Sequence, residues 1–397
     1  MSIDKKQYLL FVLPFLFSFG KIVAGSWLAL ISSFLWICMV FSYSNSYPQQ
    51  NKQRPLAFAM ITCVVISFLI TARFRDYVEV FVDQNYLLPY FAILIGYCDF
   101  SFRSINRINH IIFVSAICFL VFFYFNMRSI FEMDGVTARL LLREDNMPFD
   151  NVTKRFCIGA GFLLLLGPYL KKWMFWVALL AMSVNIAAAL YMGRRNVIVT
   201  SLLFFLIAGY RFFIYEQLKR PVKYLLVLFM VIGVSFIMAD IISFFQDNPF
   251  FDVLNSRFDR DTRSNVTNYF YLDMNNNPIQ WLIGKGITST YYCPDVMEDT
   301  IYRKTVETGW QHIILKMGTP FLLLYLGIQI KAIYRCKKNF LTTACSFYML
   351  IMMIELLYAG VPTLDVRYAL IWICVSICNN REIQSLRNSE IKKLLKN

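Results

Sequence analysis

The sequence predicts an all-α fold, a polytopic transmembrane bundle of about twelve spans with one long extracytoplasmic loop. Three observations predict it. The 397 residues are 58% hydrophobic and only 16% charged, and their mean hydropathy is +0.53, more apolar surface than a water-soluble fold can hide. The apolar residues fall into long runs parted by short charged stretches, and a helix needs about 20 such residues to cross the hydrocarbon. The basic residues fall on alternate connections.

The runs place spans at 8-20, 24-43, 55-72, 85-99, 110-127, 157-170, 173-193, 196-215, 224-245, 311-331, 342-360 and 366-378. The first of them, behind Lys5 and Lys6, has the look of a signal peptide. No small-residue cleavage site follows and a second apolar run starts at once, so it reads as a span. Three regions result: residues 1-245 with spans one to nine, a loop or lid at 246-310, and residues 311-397 with the last three spans and a basic tail.

Charge sets the orientation. With the amino terminus inside, the connections carrying Lys52 and Arg54, Arg103 and Arg107, Lys171 and Lys172, Lys219 to Lys223, and Lys331 to Lys338 are all cytoplasmic, as is the tail from Arg381 to Lys396. The opposite loops mix signs. The formal net charge of +14 is therefore a positive-inside signal that puts both termini in the cytoplasm, and it calls for no nucleic-acid partner. Membrane lipids are the general partner that such a basic face implies. The ten cysteines lie mostly inside spans without a CxxC pair, so the spacing indicates neither a disulfide framework nor a metal site.

The segment 246-310 is far longer than a connection needs, and such loops are usually functional. Its aromatics Tyr269, Phe270, Tyr271, Trp281, Tyr291 and Tyr292 suit a packed lid or a sugar-stacking platform. Its DRDTR stretch at 259-263 imitates a nucleotide-sugar metal motif, but those donors are cytoplasmic and this loop is outside. Five guanidiniums converge on the outer edge: Arg73 and Arg75 after the third span, Arg194 and Arg195 behind Gly193 between two spans, and Arg367 opening the last span. Each can anchor at headgroups. Together they suit phosphate oxygens, which guanidinium forks bind bidentately. Gly284 and Gly286 flank Lys285, a spacing that turns backbone amides toward an anion. Glu307 and His312 stand where the loop re-enters the membrane, with Lys316 one turn on from His312. They are candidates for acid or base work, against the alternative that Glu307 caps a helix start and His312 is merely interfacial.

Gly193-Arg194-Arg195 opening a middle span, the loop from Gln246, Gly284-Lys285-Gly286, and Glu307 eleven residues ahead of Gly318 resemble the O-antigen polymerase and ligase superfamily of bacterial inner-membrane glycosyltransferases. The resemblance implies an enzyme that moves a glycan from undecaprenyl pyrophosphate to an acceptor hydroxyl on the outer face, without a cofactor. A chain-length regulator is a further partner that it admits. It implies that Arg194 or Arg195 grips the pyrophosphate; by position Arg73, Arg75, Arg367 and Lys285 are further candidates for binding it. Ligases of the superfamily favour a histidine where this chain has Glu307, and His312 comes five residues later. A repeat-unit polymerase for O-antigen, capsule or exopolysaccharide is therefore the first expectation and a ligase the second. A lipid-sugar flippase or transporter is the reading from another class; those tend to show inverted repeats and broken helices at the midplane, and the two halves of this sequence show no similarity.

Overall fold

A computed structural model describes residues 3-24, 26-46, 54-71, 88-131, 152-191, 194-215, 262-294, 301-306, 308-336 and 339-396. Within these the chain is mainly helical. Helices α1 (Ile3–Phe19) and α2 (Ser26–Ser46) form a hairpin through a wide turn at Gly20–Ala24, pinned where the Trp36 indole donates to the Leu10 carbonyl at 3.1 Å. Helix α3 (Arg54–Thr71) follows, then a short α4 (Leu88–Phe91) that tightens into a 3-10 stretch at Ala92–Tyr97. Helix α5 (Phe102–Phe131) spans 30 residues, about 45 Å at the rise of an α-helix. Another wide turn, Thr153–Cys157, leads into α6 (Ala160–Leu166) and a 3-10 turn at Gly167–Tyr169. Helices α7 (Lys172–Tyr191) and α8 (Arg195–Tyr215) form the next hairpin.

Where it is described the long loop combines helices with a small two-stranded sheet. Helices α9 (Thr262–Asn275) and α10 (Ile279–Ile283) precede β1 (Tyr291–Tyr292), which pairs antiparallel with β2 (Tyr302–Arg303), Tyr291 opposite Arg303. The chain then runs through α11 (Gly309–Met317), α12 (Thr319–Arg335), α13 (Phe340–Tyr358), α14 (Val366–Asn379), α15 (Arg381–Ser385) and α16 (Asn388–Lys396).

Three helices among the described residues are long and apolar enough to cross a membrane, with spanning segments Phe102–Met127, Lys172–Ala189 and Phe340–Tyr358. Shorter apolar helices lie at Trp27–Tyr43, Phe58–Ile70, Asn196–Arg211 and Val366–Asn379. Three of the expected spans are interrupted among the described residues. Segment 85-99 contains a short α-helix and a six-residue 3-10 stretch, 157-170 keeps only the seven α-helical residues of α6, and 311-331 is cut at Gly318 into α11 and α12. The cut has a local cause. Gly318 adopts φ +83°, a conformation that only glycine enters without cost, and Pro320 favours a fresh helix start. The expected span 224-245 lies outside the described residues.

Helix α14 is the axis of the bundle. All fourteen of its residues are buried, and it packs against Ala92–Tyr97, α13, α12 and α1. A helix enclosed on every side can be apolar all round over most of its length, with Arg367 paired inside the bundle. The outward faces of other helices carry large apolar side chains, including Phe58, Leu69, Tyr124, Phe125 and Leu323, as expected of surfaces that meet lipid and not water.

Polar contacts gather at the two ends. At the tail end the Tyr43 hydroxyl donates to the Asp99 carbonyl at 2.8 Å, Asn380 Nδ2 to Asp99 Oδ1 at 3.0 Å, and the Ser101 amide to Gln7 Oε1 at 3.2 Å. Arg211 Nη2 donates to the Phe340 carbonyl at 2.8 Å, while the Phe340 amide donates to Asn388 Oδ1 at 2.8 Å. Cys336 and Cys378 form a bridge between the ends of α12 and α14, Cα atoms 5.2 Å apart. The spacing of the cysteines held no sign of it, because the two are brought together only by the packing of α12 on α14.

Candidate functional site

The opposite, loop end holds a buried ionic cluster. Residues 342-360 contain a single ionisable acid or base other than tyrosine and cysteine, Glu355, and it lies one turn before the end of α13. Arg367 sits in the first turn of α14, whose start is capped by Asp365, its carboxylate accepting from the Tyr368 amide at 2.9 Å. That antiparallel hairpin puts Arg367 Nη1 2.5 Å from Glu355 Oε1 and Nη2 3.5 Å from Asp365 Oδ2, with every side chain at most 3% exposed. The guanidinium also stands 4.8 Å from the centre of the Tyr368 ring. Lys154, in the turn before α6, lies close enough to Glu355 to act on it electrostatically.

Neighbouring elements close around this cluster. The Tyr358 hydroxyl and Thr200 Oγ1 are 2.6 Å apart, tying α13 to α8. Arg194 immediately precedes α8, about 9 Å along the helix axis from Thr200. Helix α11 begins against the turn between α13 and α14: a Cβ on Gly309 would fall 2.1 Å from the Gly360 carbonyl oxygen, the same oxygen that accepts from the Tyr368 hydroxyl at 2.5 Å. Among the described residues, Glu355 Oε2 and Arg367 Nε have no hydrogen-bond partner. A buried orphan of this kind costs about 1–3 kcal/mol; Arg367 Nε has a donor left to give and Glu355 Oε2 can accept from one more donor, such as a hydroxyl.

The expected site residues divide as follows. Arg367 stands at the centre of the cluster, where it is buried and paired instead of exposed at the rim. Arg194 is half-buried at the mouth of α8, and Arg195 begins that helix; the Arg195 side chain, with Arg73, Arg75 and Glu307, lies outside what is described. Glu307 immediately precedes in sequence Thr308, the residue before α11. His312 is fully buried in α11, a protein interior and not a lipid interface. Lys316, also fully buried, donates to the Ser289 carbonyl at 2.5 Å.

Gly284, Lys285 and Gly286 join the loop to the end of α11. Gly284 takes φ +74° and Gly286 φ +99°, and a Cβ on Gly284 would meet the Lys316 backbone at 2.7 Å. The Lys285 amide donates to the Leu315 carbonyl at 2.7 Å, and its ammonium pairs with Asp273 at 2.5 Å. Gly284 thus serves close backbone packing, Gly286 a positive-φ turn, and the Lys285 amide is engaged within the protein instead of turned toward an anion. Glu355, Asp365 and Lys154 were missed in the sequence. A lone carboxylate within an apolar run is the signal that singles out Glu355, since charge at membrane depth is costly and is usually functional or paired.

The fold and the cluster define a helical protein with the apolar helices of a membrane protein and a buried ionic site at one end of its bundle. No family model, no curated protein and no solved structure matches the chain.

Proposed function

We propose that the chain is a polysaccharide repeat-unit polymerase of the bacterial inner membrane, with both termini cytoplasmic and the loop end facing out. It transfers a glycan from undecaprenyl pyrophosphate to the hydroxyl of a lipid-linked acceptor. The observation that supports the reading best is the buried Arg367–Glu355–Asp365 cluster at the loop end of the bundle. The reaction breaks the bond between the anomeric carbon and the pyrophosphate oxygen and forms one from that carbon to the acceptor oxygen. The acceptor proton passes to a base, and undecaprenyl pyrophosphate departs with the negative charge. Fixed cations stabilise that developing charge without reorganising, and a carboxylate at the loop end receives the proton.

In this reading Arg194 and Arg195 meet the pyrophosphate, Glu307 is the base or orients the acceptor hydroxyl, and Arg367 and Glu355 hold the electrostatic floor. Lysine keeps a charge but not the planar fork. Arg194→Lys or Arg195→Lys, whichever touches the donor, is expected to shorten or abolish polymer and to accumulate lipid-linked repeat unit at unchanged protein level. Gel profiles of surface polysaccharide and extraction of lipid-linked oligosaccharide measure both. Full-length polymer in both variants removes these arginines from the site. Loss of all glycan transfer to the final acceptor, single repeat units included, would instead identify a ligase.

A further inference from the structure

The loop carries an apolar face that nothing among the described residues covers. On α10, Ile279, Leu282 and Ile283 occupy positions i, i+3 and i+4 and therefore share one side of the helix. They are 54%, 60% and 41% exposed. The other side is packed: Trp281 stacks on Tyr271 with ring centres 5.9 Å apart and stands edge-on to Phe270 at 5.9 Å, and its indole donates to Asn275 Oδ1 at 3.1 Å.

Two contacts set the height of this face along the bundle. The Leu282 carbonyl abuts the start of α12 so closely that a Cβ on Gly318 would fall 2.1 Å from its oxygen. Leu323, 65% exposed on the outward side of α12, is only about 7.5 Å further along that helix. On α3 the Ile287 amide, four residues after Ile283, donates to the Ser67 carbonyl at 3.4 Å. Leu69 and Ile70 lie beyond Ser67 toward the loop end and are 75% and 45% exposed. The outward apolar band of α3 therefore rises past the level at which the loop docks.

We infer that α10 is embedded in the outer leaflet, with Ile279, Leu282 and Ile283 against phospholipid at the boundary of headgroup and acyl chain. The occupant is lipid because the face is continuous with the lipid-type surfaces of α3 and α12. Its flanking aromatics, Trp281 and Tyr271, are also the residue types that settle at that boundary. The base of the long loop is then a membrane-anchored shelf, not a solvated lid. This inference needs only that the bundle spans a membrane with its loop end outward, and it stands whether or not the chain makes polysaccharide.

Photocrosslinking of the full chain in phospholipid vesicles tests it. Benzoylphenylalanine is placed singly at position 282, at 323 on the outward face of α12, or at 276 on the exposed polar turn after α9. Mass spectrometry reads phospholipid adducts after illumination. Positions 282 and 323 are expected to yield comparable lipid adducts, several-fold above 276. An adduct yield at 282 as low as at 276 overturns the inference. A protein–protein adduct dominating at 282 would also refute it.

Discussion

Glu355 and Arg367 depend on each other. Two charges withdrawn from water lose several kcal/mol of hydration each, and their attraction compensates only while both are present. Glu355→Ala leaves the guanidinium in the bundle core with only its longer contact to Asp365 and is expected to cost about 3–5 kcal/mol, with the double variant Glu355→Ala/Arg367→Met recovering only part of it because Asp365 then loses its cation. Thermal unfolding of purified protein in detergent measures both; an unchanged midpoint in Glu355→Ala would show that the pair contributes nothing to stability. The carboxylate before α11 answers a different question. Loss of a helix-end charge contributes only about 0.3–1 kcal/mol, whereas loss of a general base typically lowers rate about 10² to 10⁴-fold. Glu307→Gln, at matched protein level, is therefore expected to abolish polymer and accumulate lipid-linked repeat unit. His312→Ala, which empties a fully buried position, is expected to lower stability more than turnover. The reverse result would assign the base to the histidine.

At the scale of elements, Gly318 separates α11 from α12 and lets the loop reach the bundle. Its φ of +83° and its approach to the Leu282 carbonyl are both closed to any side chain. The obstructing atom is backbone, so neither neighbour can simply rotate away. Gly318→Ala is expected to lose at least the roughly 1–3 kcal/mol typical of overpacking. Gly327, on the open side of α12 with nothing within 4 Å of an added Cβ, is the control. Gly327→Ala is expected to be neutral or slightly stabilising because alanine is the better helix former. Protein yield and unfolding temperature of the two variants decide it; equal tolerance would mean that the loop is not held against α12 as described. Helix α14 carries a second lesson at this scale. Its apolar run reads from the sequence as an ordinary last span, yet it lies enclosed by its neighbours, a position that only their arrangement creates.

For the whole molecule, the contacts sort by end. The ends bearing Gln7, Tyr43, Asp99, Arg211, Phe340 and Asn380 meet one another, and those bearing Thr200, Gly309, Gly360 and Arg367 meet at the other end. The basic residues separate the same two groups of connections, so topology is expected to place Asn276 outside the cell. A reporter cysteine at Asn276 in an otherwise cysteine-free chain is expected to react with an impermeant maleimide in intact spheroplasts. Reaction only after the membrane is opened would place the loop inside and remove the site from any outer-face chemistry.

Composition and charge pattern sufficed for the class of protein, the alternation of apolar runs with basic connections, and the unusual length of the segment 246-310. These are properties of short stretches of chain, set by the cost of apolar surface in water and of charge in lipid. The break at Gly318 was also within reach, since Gly-Thr-Pro is a local stop and start signal. What the tertiary structure alone decided is which charges meet. Glu355 and Arg367 are twelve residues apart and on different helices, and Lys154 comes to them from far earlier in the chain. The sequence can mark Glu355 and Arg367 singly as charges in apolar surroundings, but a buried cluster of charges comes into being only when the helices that carry them pack.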